Sequence, residues 1–215
     1  MMMKKYDVFY LALFECLCIY LCRFMRQMSM HALDIRYDAP EMIYIILFGI
    51  FGLSVLFHYG YFNRIFSSFV AFEIIRHQDH KRIMKRYCLH CFMYAFLSAL
   101  LMIVTALCFS LHVSFLMGIL LFLSFYTMLM IQMFFELLIN EKISLFLCVS
   151  YSALIFTLSD LAHEAGISSL RPFFLSCVPF PARMGSLSMT LCVFVFINIL
   201  LYVGNIVCMK KKDII

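Results

Sequence analysis

The sequence predicts an all-α integral membrane protein, a single transmembrane domain over residues 1–215 with six spans. Three observations carry this. Hydrophobic residues make up 65% of the chain and charged residues only 13%, with a mean hydropathy of +0.99. Soluble domains carry about 25% charged residues, and a core of this size could not hide so much apolar surface from water. The apolar runs are unbroken and roughly 20 residues long, without the alternation of a barrel strand. The charges gather between these runs, where backbone leaves the bilayer, and seldom inside them.

Span 1 is predicted over about 6–22, behind Lys4 and Lys5. It is the weakest, being short and carrying Glu15, which costs about 2.5–3.5 kcal/mol near mid-membrane. It has no small-residue cleavage site and is expected to be retained. A polar loop follows, and Pro40 signals the start of span 2, residues 41–61. Residues 63–87 are the one long polar stretch and hold six of the 17 basic residues, Arg64, Arg76, Lys81, Arg82, Lys85 and Arg86. The spacing of Ile65, Phe69 and Phe72 against Glu73, Arg76, His77 and His80 suits a helix at the membrane surface.

Span 3 covers 88–111, where Ala95, Ala99 and Ala106 share a face that lets a neighbouring helix approach. A tight turn near Ser110, His112 and Ser114 leads to span 4, 113–138, and Glu141-Lys142 connects to span 5, 143–161. The next segment, 162–186, is punctuated by Gly166, Pro172, Pro179, Pro181 and Gly185, so it is no continuous helix. Its apolar content suits a re-entrant segment between spans 5 and 6, the last span covering 187–207.

Six spans place both termini on one side. That side collects Lys4, Lys5, the six basic residues of the central segment, Lys142 and the three lysines of the tail. The other side has Arg23, Arg26, Arg36, Arg171 and Arg183. The positive-inside rule then puts both termini and the central segment in the cytoplasm. The net charge of +5 thus reads as orientation and contact with anionic lipid, not as nucleic-acid binding. Ten cysteines, most of them within apolar runs, behave as small hydrophobes and not as a disulfide framework.

Candidate chemistry is sparse. Gln132, Glu136 and Asn140 recur every four residues and form a polar stripe at the end of span 4, placed either along a transport path or at a subunit interface, or snorkelling to water. Asn198 and Asn205 share a face of span 6 and are expected to bond other helices, Asn198 falling with the stripe along a transport path or at a subunit interface. Asp160, His163 and Glu164 share a helix face and could ligate zinc, but they serve better as the polar exit of span 5. Cys88 and Cys91 have metal-site spacing without the second pair that a structural site needs. His163-Glu164 does not continue to His-Glu-x-x-His, and no P-loop is present, so neither metalloprotease chemistry nor ATP hydrolysis is expected of this chain, and no cofactor or metal is called for.

The layout resembles a type-2 ABC exporter permease, most similar to the small bacterial subunits of bacteriocin or lantibiotic export and immunity. The stretch Glu73-Ile74-Ile75-Arg76-His77-Gln78-Asp79-His80-Lys81-Arg82 resembles that family's apolar, Arg, polar, basic pattern ahead of span 3. The resemblance implies a non-catalytic subunit in a bacterial cytoplasmic membrane, exporting a peptide, lipid or drug-like substrate. It implies a coupling helix in which Glu73, Arg76, His80, Lys81, Arg82, Lys85 and Arg86 dock on a separate ATPase chain. It further implies a second permease half, identical or related, and external re-entrant helices around Pro172, Pro179 and Pro181. Two other readings stand beside it. A six-span capture subunit of an energy-coupling importer would carry repeated small residues in span 1, which offers only Ala12. A membrane cysteine protease would use a histidine and cysteine spaced like His80 and Cys88.

Overall fold

Hydrophobic runs of this length must satisfy every backbone polar group internally, and the chain does so with helices. The computed structural model describes residues 5–28, 30–33, 35, 39–58, 80–174, 177, 179–180, 183–184 and 186–212. Among the described residues there are six α-helices: α1 Lys5–Gln27, α2 Glu41–His58, α3 His80–Cys108, α4 Phe115–Leu138, α5 Glu141–Glu164 and α6 Leu187–Lys212. A 3-10 helix, Ser168–Phe173, follows α5. Most of the segment expected to form a surface helix, 63–79, lies outside the described residues, as do Glu73 and Arg76.

Four of the helices are long and apolar enough to cross a membrane: Met84–Cys108, Phe115–Leu138, Glu141–Glu164 and Leu187–Lys210. α2, Glu41–His58, is as apolar but shorter, at 18 residues. α1 is as long, and with Glu15, Arg23 and Arg26 within it is the least apolar of the six taken over its whole length. The composition and geometry are those of a helical membrane protein.

Helix ends show why the spans stop where they do. Ser114 caps α4, its side chain accepting from Met117 N at 3.2 Å, and Asn140 caps α5, accepting from Ile143 N at 2.8 Å. α5 ends in a Schellman motif: Ile167 N donates to Ala162 O, Gly166 N donates to His163 O, and Gly166 takes φ +71°. α3 ends in the same motif, with Leu111 N on Ala106 O and Ser110 N on Leu107 O. There the left-handed residue is Ser110, at φ 58°. His112 then donates its N–H to His31 O at 2.7 Å and accepts from Leu33 N at 3.1 Å, tying the α3–α4 turn to the α1–α2 linker.

The helices pack around α4, which touches α2, α3, α5 and α6. Over its apolar window 56% of positions are buried, against 33% in α3 and α5 and 11% in α6. α3 turns inward the face Met84, Tyr87, Cys91, Ala95, Ala99, Met102 and Ala106, at the spacing of one helix side. The three alanines expected to permit close approach lie on it. Phe125 of α4 meets Phe14 of α1 edge-on at 6.0 Å and stacks with Phe51 of α2 at 4.9 Å. α4 and α6 run parallel and in register: Asn198 Nδ2 donates to Thr127 Oγ1 at 2.8 Å, and two turns on, a Cβ at Gly204 would meet Phe134 Cε2 at 3.0 Å. The start of α3, the end of α4, the start of α5 and the end of α6 therefore share one end of the bundle. It carries the exposed Lys85, Arg86, Lys142 and Lys210 and is called the basic end below.

Candidate functional site

Polar residues inside an apolar bundle are expensive unless paired, so their partners define the sites. Two clusters stand out among the described residues. The first is near the basic end. Gln132 and Glu136 sit one turn apart on α4, 1% and 5% exposed, and Gln132 Nε2 donates to Glu136 Oε1 at 3.2 Å. Ser144 of α5 donates to Gln132 O at 2.8 Å. Glu136 lies near Cys91 of α3 and Cys148 of α5, between those helices. Asn140 does not join them: α4 ends at Leu138, and Asn140 is spent capping α5 at the surface. Asn198 is held by Thr127 and by Phe194 O, to which it donates at 2.9 Å. Asn205, on the same face of α6, is wholly buried. Both of its amide atoms, and Gln132 Oε1, have no hydrogen-bond partner among the described residues.

The second cluster lies at the opposite end and centres on Arg183. This side chain is fully buried, which for an arginine requires paired charge and hydrogen bonds. Nε donates to Ile35 O at 3.0 Å, Nη1 to Asp160 Oδ1 at 2.6 Å, and Nη2 to the Tyr44 hydroxyl. The guanidinium lies 5.0 Å from the centroid of Tyr44 and 5.6 Å from that of Phe156, and those rings stack on each other at 5.5 Å. One side chain thus joins the α1–α2 linker, α2, α5 and the α5–α6 linker. Beneath it Cys177 is buried, its thiol directed at Ile155 O at 3.8 Å, and burial pushes that thiol up to about 12. Of the residues read as the polar exit of span 5, Asp160 holds Arg183 and His163 Nδ1 meets Arg171 Nη2 at 3.0 Å, while Glu164 is exposed as the last residue of α5.

Other sequence-predicted positions distribute as follows. His80, Lys81 and Arg82 form the first turn of α3, their side chains lying outside the description, while Lys85 and Arg86 are exposed on its next turn. Pro172 lies in the 3-10 helix, Pro179 is buried in the turn before Phe180, and Pro181 is outside the described residues. Cys88 interacts with Tyr126, and Cys91 with Tyr87. Among the described residues no three His, Cys, Asp or Glu side chains converge as metal ligands. Sequence reasoning missed Arg183, which it counted only as a loop charge. The usable signal was an arginine flanked by Phe180 and Met184 in an apolar linker, with an acid, Asp160, at the end of the preceding helix.

The fold is all-helical among the described residues, with four helices long and apolar enough to cross a membrane and polar groups buried between them. No protein-family model, curated protein or solved structure matches this chain.

Proposed function

We propose that this chain is the membrane-spanning permease subunit of an ATP-driven transporter of the ABC type-2 kind, working with a separate ATPase and a second permease half. The observation that carries the reading is the continuity of α3. It is one helix of 29 residues, His80–Cys108, roughly 43 Å long against a hydrocarbon core of about 30 Å. The basic cluster Lys81, Arg82, Lys85 and Arg86 therefore rides on a rigid extension of a helix long enough to cross a bilayer. A movement imposed on those charges by a docked ATPase is passed into the bundle, where a flexible loop would absorb it.

The interior supports the same reading. Most buried polar groups in a folded protein are hydrogen-bonded, and an exception calls for a partner. The amides of Asn205 and Gln132 have polar atoms without a protein partner among the described residues, as befits groups that meet water, substrate or another helix in a second state. Glu136 and Gln132 then line the path near the basic end, the apolar and Met-rich surroundings suiting a peptide, lipid or drug-like substrate. The basic end faces the cytoplasm on this reading.

The test is co-purification from the native membrane in mild detergent, comparing wild type with Arg76→Glu/Lys81→Glu/Arg82→Glu. Recovery of a P-loop ATPase with wild type and its loss from an equally inserted variant supports the reading. Absence of any ATPase from the wild-type preparation reduces the basic cluster to an orientation signal and overturns it.

A further inference from the structure

Between α3 and α4, on the outward side of the bundle, lies a cavity of about 360 Å³ lined almost wholly by carbon. Ala99, Ile103 and Gly118 lie along it, the Ile103 side chain packed closely over Gly118, and its flanks include Phe96 and Leu100, both substantially exposed. At the inner limit Phe92 and Phe122 meet edge to face at 5.0 Å and close it. At the other limit it reaches Ser114, the cap of α4 and its one polar side chain. The slot is thus asymmetric, with a polar mouth at the end away from the basic end and an aromatic stop near mid-span.

Its dimensions say what fills it. Ser114 to Phe122 is about 12 Å of helix and Phe92 to Ile103 about 16 Å, so the slot is as deep as one leaflet's hydrocarbon, about 15 Å. Spreading 360 Å³ over that depth leaves a channel about 5 Å across. That takes one methylene chain with its carbons at contact distance, about 4 Å, and no second. A partner helix about 10 Å across would displace on the order of 900 Å³ over the same length, and the Phe92–Phe122 pair stops it from running through. Both walls belong to helices able to cross a membrane, so hydrocarbon is what surrounds the opening.

We propose that this slot is a binding site for one acyl chain of a membrane lipid, from the leaflet at the end opposite the basic cluster, with the headgroup at the level of Ser114. It does not depend on the permease reading. The test reconstitutes the full chain in phosphatidylcholine vesicles containing a lipid with a photoreactive diazirine on one acyl chain. After illumination, adducts are mapped by peptide mass spectrometry. The internal control is the equally exposed face of α6, Val195, Ile199, Val203 and Val207. Adducts are expected at least fivefold enriched over that face on residues 92–103 and 114–122. Ile119→Trp and Leu100→Trp, at exposed positions lining the slot, should abolish the enrichment while leaving the size-exclusion profile unchanged. Equal labelling of the slot and α6 would overturn the proposal, leaving ordinary solvation by lipid. So would an unlabelled slot with a photoreactive residue at Phe96 crosslinking two copies, which would assign the face to a second copy of the chain.

Discussion

Replacing Asp160 with alanine should destabilise the protein more than any surface change, although the residue lies at the mouth of the bundle. Arg183 Nη1 and Asp160 Oδ1 are 2.6 Å apart, with side-chain exposures of 0% and 23%. Removing one partner of a buried ion pair costs about 3–5 kcal/mol, because the other charge is left uncompensated. Asp160 is nearly a quarter exposed, so water can enter the space it vacates and hydrate the guanidinium, which places the expected loss near the lower figure, about 3 kcal/mol. Arg183→Met should cost less, about 1–2 kcal/mol. It removes the buried charge itself, lets the carboxylate hydrate, and forfeits the donors to Ile35 O and Tyr44. The double variant should then resemble Arg183→Met, giving a coupling energy equal in size to the Asp160→Ala loss, about 3 kcal/mol. The assay is reversible unfolding of purified protein in mixed micelles against SDS mole fraction, followed by circular dichroism. An Asp160→Ala variant within 0.5 kcal/mol of wild type, or strict additivity in the cycle, would refute the argument that this pair holds the linker to α2 and α5.

Ser110→Gly should stabilise by about 1 kcal/mol, because Ser110 is an exposed left-handed residue in a motif that glycine adopts freely; the same SDS titration measures it. Asn140→Ala should cost about 1 kcal/mol through loss of the α5 cap without altering the Gln132–Glu136 contact, so amide exchange should rise at Ile143 and not along α4. Cys177, with its thiol raised to about 12, holds almost no thiolate at pH 8, and burial blocks access as well. It should resist a water-soluble maleimide in wild type and react in Asp160→Ala, as scored by peptide mass spectrometry.

Hydropathy made the helices legible because the bilayer imposes a length on every apolar run, and α4, α5 and α6 begin within two residues of the positions read from sequence. The turn chemistry was legible where the residue type is diagnostic. Gly166 marks the end of α5, because only glycine takes that backbone angle without cost. Ser110 plays the same part at the end of α3, and serine gives no such signal; the polar cluster Ser110, His112 and Ser114 marked only a turn. Spacing by four put Gln132, Glu136 and Asn140 on one stripe, but spacing cannot say where a helix stops, and the break at Leu138 gives Asn140 a different job. The Arg183 cluster escaped because its members come from positions 35, 44, 156, 160 and 183, brought together by packing and not by any local period.

The central position of α4 bears on how the protein is made. Chain elongation delivers α1, α2 and α3 to the membrane before α4 has emerged, and at that stage Phe14 and Phe51 lack the Phe125 ring on which they close. α4 also needs α5 to supply Ser144 to the Gln132 carbonyl and α6 to supply Asn198 to Thr127. The molecule therefore does not assemble as two finished halves. Its first three helices, with α1 packed on both α2 and α3, can pair early but wait for a mast that arrives fourth and is itself completed only by the helices after it.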